Sequence, residues 1–173
     1  MEGGIRMGRL TTVGVLTASD RCSKGIAEDL SGPALRELVE ARGWSVAAAA
    51  VLPDDAGGIA ATLLDWCDNK NISLVLTTGG TGIGPRDVTP EATRRVLEKE
   101  LPGVTEVMRR EGVKRTSLAA LSRALAGTRG NSLILNLPGS PEGARRSLEA
   151  VIDLVDHALA MLRGEGHESK VAP

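Results

Sequence analysis

The residues best able to carry chemistry in this sequence lie in one short segment, from Thr77 to Glu91. Four of the six residues at 79–84, here named the glycine loop, are glycines, and the pair Arg86 and Asp87 follows them. Because glycine has no Cβ atom, such a backbone can turn tightly and direct several N–H groups at one anion. The guanidinium of Arg86 could bind a phosphate, and the carboxylate of Asp87 a metal ion. The segment therefore predicts a phosphate-binding loop.

The spacing of these residues excludes two common nucleotide-binding loops. A Walker loop needs Lys followed by Ser or Thr after its last glycine, whereas Gly84 is followed by Pro85. The dinucleotide fingerprint needs glycines at positions one, three and six, and counting from Gly80 the sixth residue is Pro85. A nucleophile elbow fails at Ser140, because Pro138 stands where the first glycine of that motif is required. The glycine loop is therefore an anion site of another kind.

Apolar runs predict the strands that hold this loop. Continuous apolar stretches are typical of buried parallel strands, and they occur at 10–18, 72–78 and 133–137. The alanine-rich run at 44–52 has helical propensity, but its position between Gly43 and Pro53 favours a fourth strand.

Amphipathic spacing and end signals predict the helices. Ser31 and Thr89 are expected N-caps of two of them, and a third spans residues 55–69. A helical hairpin is expected at 102–127, and one long last helix is expected from Pro141.

The alternation of strands and helices predicts the fold class. It is typical of a single α/β domain, a three-layer α/β/α sandwich around a mostly parallel, doubly wound sheet. The domain is expected over residues 9–164, between a flexible N-terminal segment at 1–8 and a flexible tail at 165–173. Ligands of such sheets bind at the carboxyl ends of the strands. Four polar or glycine-rich loops leave those ends, at 19–21, 53–55, 79–84 and 137–141.

Composition limits the partners. The 173 residues contain no Phe or Tyr, and the net charge is −1, so neither base stacking nor a general field favours nucleic acid. The two cysteines, Cys22 and Cys67, have no metal-binding or redox spacing. Neither an apolar leader nor a membrane-spanning stretch is visible, and we expect a cytoplasmic protein.

The segment from Thr77 to Thr93 resembles the signature of the molybdenum-cofactor biosynthesis family of MogA and MoaB proteins. Its Gly-Gly-Thr-Gly core and the block Arg-Asp-Val-Thr-Pro-Glu carry the resemblance at fixed spacing. Four further blocks follow the family's order. They are Ser19-Asp20-Arg21 with the polar residues after it, Pro53-Asp54, Leu121-Ser122-Arg123-Ala124, and Asn136-Leu137-Pro138-Gly139-Ser140-Pro141. Together the matches span roughly residues 13–162.

The resemblance implies an activity and a set of site residues. Members of the MogA type transfer AMP from ATP to the terminal phosphate of molybdopterin with Mg²⁺, releasing pyrophosphate. The family's functional aspartates fall on Asp54 and Asp87, which are implied to be both catalytic residues and Mg²⁺ ligands. The implied substrate- and nucleotide-binding residues are Ser19, Asp20, Gly79, Gly80, Thr81, Gly82, Arg86, Ser122, Arg123, Pro138, Gly139 and Ser140. A homotrimer is implied for the MogA type, with a hexamer, found in some MoaB types, as the alternative. A downstream molybdate-insertion enzyme is implied as a partner.

Several other interpretations of these residues remain open. Asp54 could cap the helix that starts beside it, Asp87 could cap the helix near Thr89, and Arg123 could pair with an acid. Some MoaB-type relatives are non-catalytic, so a molybdopterin-binding or assembly module is the main alternative function. A nucleotide or pyrophosphate hydrolase is a further alternative, since distant relatives share the glycine loop.

Overall fold

The computed structural model of the chain describes residues 10–165. The strands in this range are β1 (Thr12–Ala18), β2 (Ser45–Leu52), β3 (Leu74–Thr78), β4 (Lys99–Glu100), β5 (Ala126–Arg129) and β6 (Ser132–Leu137). The α-helices are α1 (Asp20–Ser23), α2 (Ser31–Ala41), α3 (Ala56–Leu64), α4 (Thr89–Arg94), α5 (Pro102–Val113), α6 (Pro141–Glu149) and α7 (Ile152–Leu162). A π-helical turn (Asp65–Asn69) continues α3, and a 3₁₀ helix (Ser117–Leu121) follows α5.

The strands form one mixed sheet in the order β2-β1-β3-β6-β5-β4. The strands β2, β1, β3 and β6 are parallel to one another. At one edge, β5 pairs antiparallel with β6, and β4 pairs antiparallel with β5. The strand order reverses between β1 and β3, and such a switch point opens a crevice at the carboxyl ends of the two strands. The predicted α/β class and the mostly parallel, doubly wound sheet are confirmed.

Two apolar clusters cover the two faces of the sheet. Along β1, Val13 and Val15 face one cluster, while Leu16 and Ala18 face the other, as the two-residue period of a strand requires. The first cluster takes its helical side chains from α2, α5, α6 and α7. The second takes them from α3, the π-helical turn and α4. The result is the expected three-layer sandwich, and among the described residues the aromatic side chains of its core are Trp44 and Trp66.

Two helix predictions are wrong. The hairpin expected at 102–127 is one helix, a short 3₁₀ helix and the strand β5, which pairs with β4 at the sheet edge. The long last helix is broken at Ala150 and Val151 into α6 and α7. The turn at Val151 keeps this side chain in the same cluster as Leu148 and Val155, so the apolar period continues across the break. The hydrophobic periodicity of the sequence therefore gave no sign of the break between α6 and α7.

Two N-cap predictions are also wrong. Ser31 is the first residue of α2, and the carboxylate of Asp29 accepts from its hydroxyl and from the N–H of Gly32. Thr89 is the first residue of α4, and its buried hydroxyl donates instead to the carbonyl of Gly79 (2.9 Å).

Both predicted flexible segments, 1–8 and 165–173, fall outside the described residues except for Glu165, which pairs with Arg163. Among residues 10–165, no helix combines the length and the apolar character that a membrane crossing requires.

Candidate active site

The predicted loops meet at the carboxyl ends of β1, β2, β3 and β6. The N–H of Ser19 donates to the carbonyl of Leu52 (2.9 Å), which joins the loops after β1 and β2. The hydroxyl of Thr78 donates to the carbonyl of Pro138 (2.7 Å), which joins the loops after β3 and β6. The four segments therefore form one continuous surface at this edge of the sheet.

Asp20 and Asp54 hold each other in place. The backbone N–H of Asp20 donates to Oδ2 of Asp54 (2.9 Å), and the backbone N–H of Asp54 donates to Oδ1 of Asp20 (3.1 Å). The helix cap at α3 is supplied by Asp55, whose carboxylate accepts from the N–H of Gly58 (2.6 Å). The cap interpretation of Asp54 is therefore wrong, and its side chain is left for another role.

Arg86 connects the glycine-loop segment to this pair. Its Nε and Nη2 donate to the two carboxylate oxygens of Asp20, at 2.9 and 3.1 Å. This bidentate contact with the guanidinium lowers the pKa of Asp20 below its usual value. In the structure, Asp20 and Arg86 therefore contact each other, in an arrangement that a bound phosphate could compete with.

Gly79 and Gly80 take conformations that favour glycine, with φ of +93° and +64°. A Cβ atom on Gly79 would lie 2.3 Å from the carbonyl oxygen of Ala18, and one on Gly80 would lie 2.4 Å from the hydroxyl of Thr89. The loop is closed by Thr89, whose N–H donates to the carbonyl of Gly80 (3.1 Å). The backbone here is as tight as the glycine pattern predicts.

The turn at 80–82 presents free donors. Within the described part of the chain, the backbone N–H groups of Gly80, Thr81 and Gly82 have no protein acceptor. Such a run of backbone donors in a loop forms a concave anion-binding surface. The arrangement supports the predicted phosphate-binding character of the glycine loop.

Asp54 carries an unpaired oxygen beside this turn. Its Oδ1 is the buried side-chain oxygen that lacks a hydrogen-bond partner among the described residues. The oxygen faces Gly80, where a Cβ atom would lie 3.1 Å away. Burial raises the pKa of the Asp54 carboxyl, the hydrogen bond from the Asp20 backbone opposes this, and the charges of Asp20 and Asp87 raise it further. A cation at this point would satisfy both the oxygen and the charge.

Asp87 follows the glycine loop in sequence and is bonded back to its last residue. Its Oδ2 accepts from the N–H of Gly84 (2.8 Å), and its own N–H donates to the carbonyl of Gly84 (3.0 Å). The suggested cap at α4 does not form, because the cap position is Val88, with no side-chain hydrogen bond. In residues 10–165 no group of three or more His, Cys, Asp or Glu side chains could hold a metal by itself. Asp54 and Asp87 would therefore need oxygen atoms from a ligand.

Arg123 contacts the protein and lines neither cavity. It donates from Nε to the carbonyl of Gly82 (2.6 Å), from Nη2 to the carbonyl of Asp87 (2.8 Å), and from Nη1 to the carboxylate of Glu91. The alternative of a pairing with an acid is thus borne out for this arginine, and the hydrogen bond lowers the pKa of Glu91.

Two cavities lie on either side of the glycine loop. The larger, about 570 Å³, is lined by five of the predicted residues, namely Thr81, Gly82, Ser122, Pro138 and Ser140. The smaller, about 270 Å³, is lined by three others, namely Ser19, Gly79 and Gly139. Asp54 and Asp87 are absent from both linings as described and lie in the loops beside them.

Two of the predicted serines have local structural roles at the cavities. Ser19 caps α1 by accepting from the N–H of Cys22 (3.2 Å), and Ser140 caps α6 by accepting from the N–H of Gly143 (3.2 Å). Ser122 accepts from the N–H of Ala124 (3.3 Å) at the edge of the larger cavity.

Sequence reasoning missed the basic side chains of the larger cavity. Arg109 and Arg115, from α5 and the turn after it, and Arg146, from α6, line its wall with Met108 and Leu118. The basic run at 109–115 was a usable signal for the first two. Nothing local marks Arg146, because α6 reaches this wall only through the tertiary fold.

Comparison with known proteins agrees with this geometry. A family model described as a probable molybdopterin binding domain matches residues 14–157. The Helicobacter pylori J99 protein named molybdopterin adenylyltransferase is 44% identical over 154 residues, covering 88% of this chain and 88% of that protein. The Drosophila melanogaster protein named molybdenum cofactor synthesis protein cinnamon is 44% identical over 152 residues, 87% of this chain, but the chain spans only 25% of its length.

A solved structure gives the same result at the level of the fold. The crystal structure of the molybdopterin biosynthesis enzyme MoaB from Thermus thermophilus superposes with a TM-score of 0.85 at 48% identity. The match covers 90% of this chain and 98% of that one. From these similarities, and from the glycine loop with its two flanking aspartates, the chain belongs to the MoaB/Mog family of molybdopterin-binding domains.

Proposed function

We propose that this protein acts in molybdenum cofactor biosynthesis as a molybdopterin adenylyltransferase. It transfers AMP from ATP to the terminal phosphate of molybdopterin and releases pyrophosphate. The observation that carries the proposal is the buried Oδ1 of Asp54, which has no hydrogen-bond partner within residues 10–165 and faces a turn whose three N–H groups have no acceptor there. The names of the Helicobacter pylori relatives support the same reaction.

The main obstacle to this reaction is the repulsion between two phosphate groups. Preorganised donors that neutralise charge and hold the groups in line lower such a barrier. The free N–H groups at Gly80, Thr81 and Gly82 supply neutral donors. Arg86 supplies a cation after it exchanges its contact with Asp20 for one with a substrate phosphate. The glycine loop thus holds the phosphate groups between the two cavities.

Asp54 and Asp87 fit the requirements of a Mg²⁺ ion. This ion binds through one or two carboxylates and completes its coordination with phosphate oxygens and water. Oδ1 of Asp54 is buried and has no partner in the part of the chain that the structure describes, and Oδ2 of Asp87 accepts from the N–H of Gly84. When bound here, Mg²⁺ would neutralise the charge that develops on the reacting phosphates.

The reaction requires no strong general base, because a terminal phosphate is already ionised near neutral pH. The described histidine, His157, lies on α7 and lines neither cavity. The chemistry therefore depends on position and charge. Ser19, Ser122 and Ser140, at the rims of the two cavities, would orient the substrates by hydrogen bonds.

Two protein partners belong to the proposal. A homotrimer and transfer of the product to a downstream molybdate-insertion enzyme are inferred from the family resemblance. Sedimentation velocity would test the first, since a trimer of an 18.0 kDa chain is well separated from a monomer. A monomer at micromolar concentration would contradict it.

The family resemblance offers a second function. The Thermus thermophilus structure with 48% identity is named a molybdopterin biosynthesis enzyme MoaB, and some proteins of the MoaB type are non-catalytic. A non-catalytic molybdopterin-binding or assembly module would share the cavities and the glycine loop. It would bind molybdopterin but show no Mg²⁺-dependent binding of ATP.

The experiment that separates these functions follows pyrophosphate release in the presence of molybdopterin, ATP and Mg²⁺. The adenylyltransferase releases pyrophosphate only when all three are present. Folded protein that binds molybdopterin by calorimetry and releases none supports the non-catalytic module. Steady release of phosphate or pyrophosphate from ATP without molybdopterin would instead indicate a hydrolase.

A further inference from the structure

Arg123 spans the segment that carries Asp87. Its Nε reaches the carbonyl of Gly82 (2.6 Å), and its Nη2 reaches the carbonyl of Asp87 (2.8 Å). Both hydrogen bonds go to main-chain atoms, at the two ends of the stretch 82–87. One planar guanidinium therefore fixes the width of this turn.

Among residues 10–165, no other side chain donates a hydrogen bond to a main-chain carbonyl of the stretch 82–87. Inside it, the contacts of Asp87 are local and involve the N–H and the carbonyl of Gly84. Arg86 lies in the same stretch, but its guanidinium pairs with Asp20 in the loop after β1 and does not contact Asp87. The direction of the Asp87 carboxylate thus depends on where its own carbonyl is held, and that carbonyl is bound by Arg123.

Arg123 is itself held from both ends. The carboxylate of Glu91, in the first turn of α4, accepts from Nη1 and Nη2. The backbone N–H of Arg123 donates to the carbonyl of Thr81 (2.9 Å). Since Nε, Nη1 and Nη2 all donate within the protein, the guanidinium is engaged away from the cavities.

We propose that Arg123 is a positioning residue that aims Asp87 at the metal ion, and that it does not contact the substrates. The inference rests on the proposed function, because it assumes a divalent cation between Asp87 and Asp54. Partners that orient a metal ligand typically change metal affinity by about 10–100-fold when they are lost. A lysine cannot replace this arginine, because one ammonium nitrogen cannot reach both carbonyls in the geometry of a planar fork.

The test compares Arg123→Lys with the matched control Arg94→Lys. Arg94 lies on α4 and forms an exposed ion pair with Glu100. Binding of Mn²⁺, measured by electron paramagnetic resonance in the presence of ATP, is expected to weaken about tenfold or more in Arg123→Lys. Calorimetry with molybdopterin alone is expected to give an unchanged affinity. Arg94→Lys is expected to match the wild type in both measurements.

A second variant guards against poor folding of the first. Glu91→Gln keeps the shape of the side chain but removes the charged partner of Nη1 and Nη2. The guanidinium is then held less firmly against the two carbonyls, so Mn²⁺ binding is expected to weaken in the same direction but less. Mn²⁺ affinity that stays at the wild-type value in either folded variant overturns the proposal. So does a loss of molybdopterin affinity in Arg123→Lys with Mn²⁺ binding retained, because that pattern belongs to a substrate contact.

Failure of this inference and failure of the proposed function are distinguishable. If the wild type binds Mn²⁺ in the presence of ATP but releases no pyrophosphate, the proposed adenylyltransferase activity is contradicted. The Mn²⁺ affinities of the variants still test the positioning role of Arg123 in that case. Wild-type protein that binds no Mn²⁺ overturns the positioning role. In an active wild type, Arg123→Lys is expected to raise the Mg²⁺ concentration needed for half-maximal rate and to leave KM for molybdopterin unchanged.

Discussion

Asp20 and Asp54 exchange backbone-to-carboxylate hydrogen bonds, at 2.9 and 3.1 Å, across the loops that follow β1 and β2. Each aspartate thereby fixes the orientation of the other. The exchange occupies Oδ2 of Asp54 and leaves Oδ1 buried without a partner in the described residues. An oxygen in this state destabilises the folded protein until a ligand binds it, which is typical of a functional site.

Replacement of Asp54 by Asn is expected to abolish pyrophosphate release and to stabilise the protein without Mg²⁺. Removal of this partly buried, unpaired charge is expected to stabilise the folded protein by about 1 kcal/mol. The value is at the low end of the usual range because solvent partly screens the charge. That corresponds to a rise in Tm of about 2–4 °C for a chain of this size. Differential scanning fluorimetry in EDTA measures it.

The stability gain of Asp54→Asn is also expected to depend on pH. The folded-state pKa of Asp54 is raised, so between about 3.9 and that raised value the folded protein binds a proton that the unfolded chain has released. Wild-type stability therefore falls as the pH rises through this window, and the penalty persists at neutral pH. The variant and the wild type should converge below the window. A gain that is equal at all pH values would contradict the charge argument.

Replacement of Asp87 by Asn is expected to lower the rate of pyrophosphate release by at least about 100-fold. Loss of a metal carboxylate removes several kcal/mol of charge stabilisation in the transition state, and about 2.7 kcal/mol already corresponds to that factor. The free energy of unfolding should change by less than about 0.5 kcal/mol, because an amide oxygen can still accept from the N–H of Gly84.

The control for this variant is Asp55→Asn. Asp55 is exposed and caps α3, and Asn is an equally good cap, so neither rate nor stability should change. Equal losses in both variants would mean that a general decrease in negative charge, and not the position of Asp87, determines the rate.

Replacement of Gly79 by Ala is expected to destabilise the protein by about 3 kcal/mol. A left-handed conformation costs about 1–2 kcal/mol for a residue with a Cβ atom, and overpacking against the carbonyl of Ala18 adds about 1–3 kcal/mol. Gly25→Ala is the matched control, since Gly25 has φ of +68° and no atom within 4 Å of the added carbon. Urea unfolding should show a loss of only about 1 kcal/mol for the control. Similar losses at the two sites would exclude the close contact as the cause.

Replacement of Asn136 by Ala is expected to destabilise the protein by about 2–4 kcal/mol. The fully buried amide donates to the hydroxyls of Thr77 and Thr93, both at 2.9 Å, and accepts from the N–H of Leu125 (3.1 Å). Removal of the amide leaves these buried groups without a partner, which costs about 1–3 kcal/mol each before relaxation. Urea unfolding measures the change.

The control is the exposed Asn69, whose amide donates to Asp65 on the surface (3.0 Å). Asn69→Ala should change stability by less than about 0.5 kcal/mol. A small effect at Asn136 would show that water replaces the lost contacts.

Prediction from sequence succeeded where one element carries its own signal. The apolar run before the glycine loop is the buried strand β3, and Gly43 ends the turn after α2 with φ of +80°. Prediction failed where the partner is distant in sequence. Threonine is a common helix cap, but the hydroxyl of Thr89 donates to the carbonyl of Gly79 instead. Only the folded loop brings these two groups together.

The sequence by itself determined the fold class and the glycine loop, because these depend on local periodicity and backbone freedom, and its resemblance to a known family singled out Asp54 and Asp87. The tertiary structure alone decided which groups are free. It pairs Arg86 with Asp20, turns Arg123 toward the backbone, and leaves one oxygen of Asp54 without a partner among the described residues. Hydrogen-bond partners are set by distances between loops, and those distances exist only once the parallel strands have aligned their carboxyl ends.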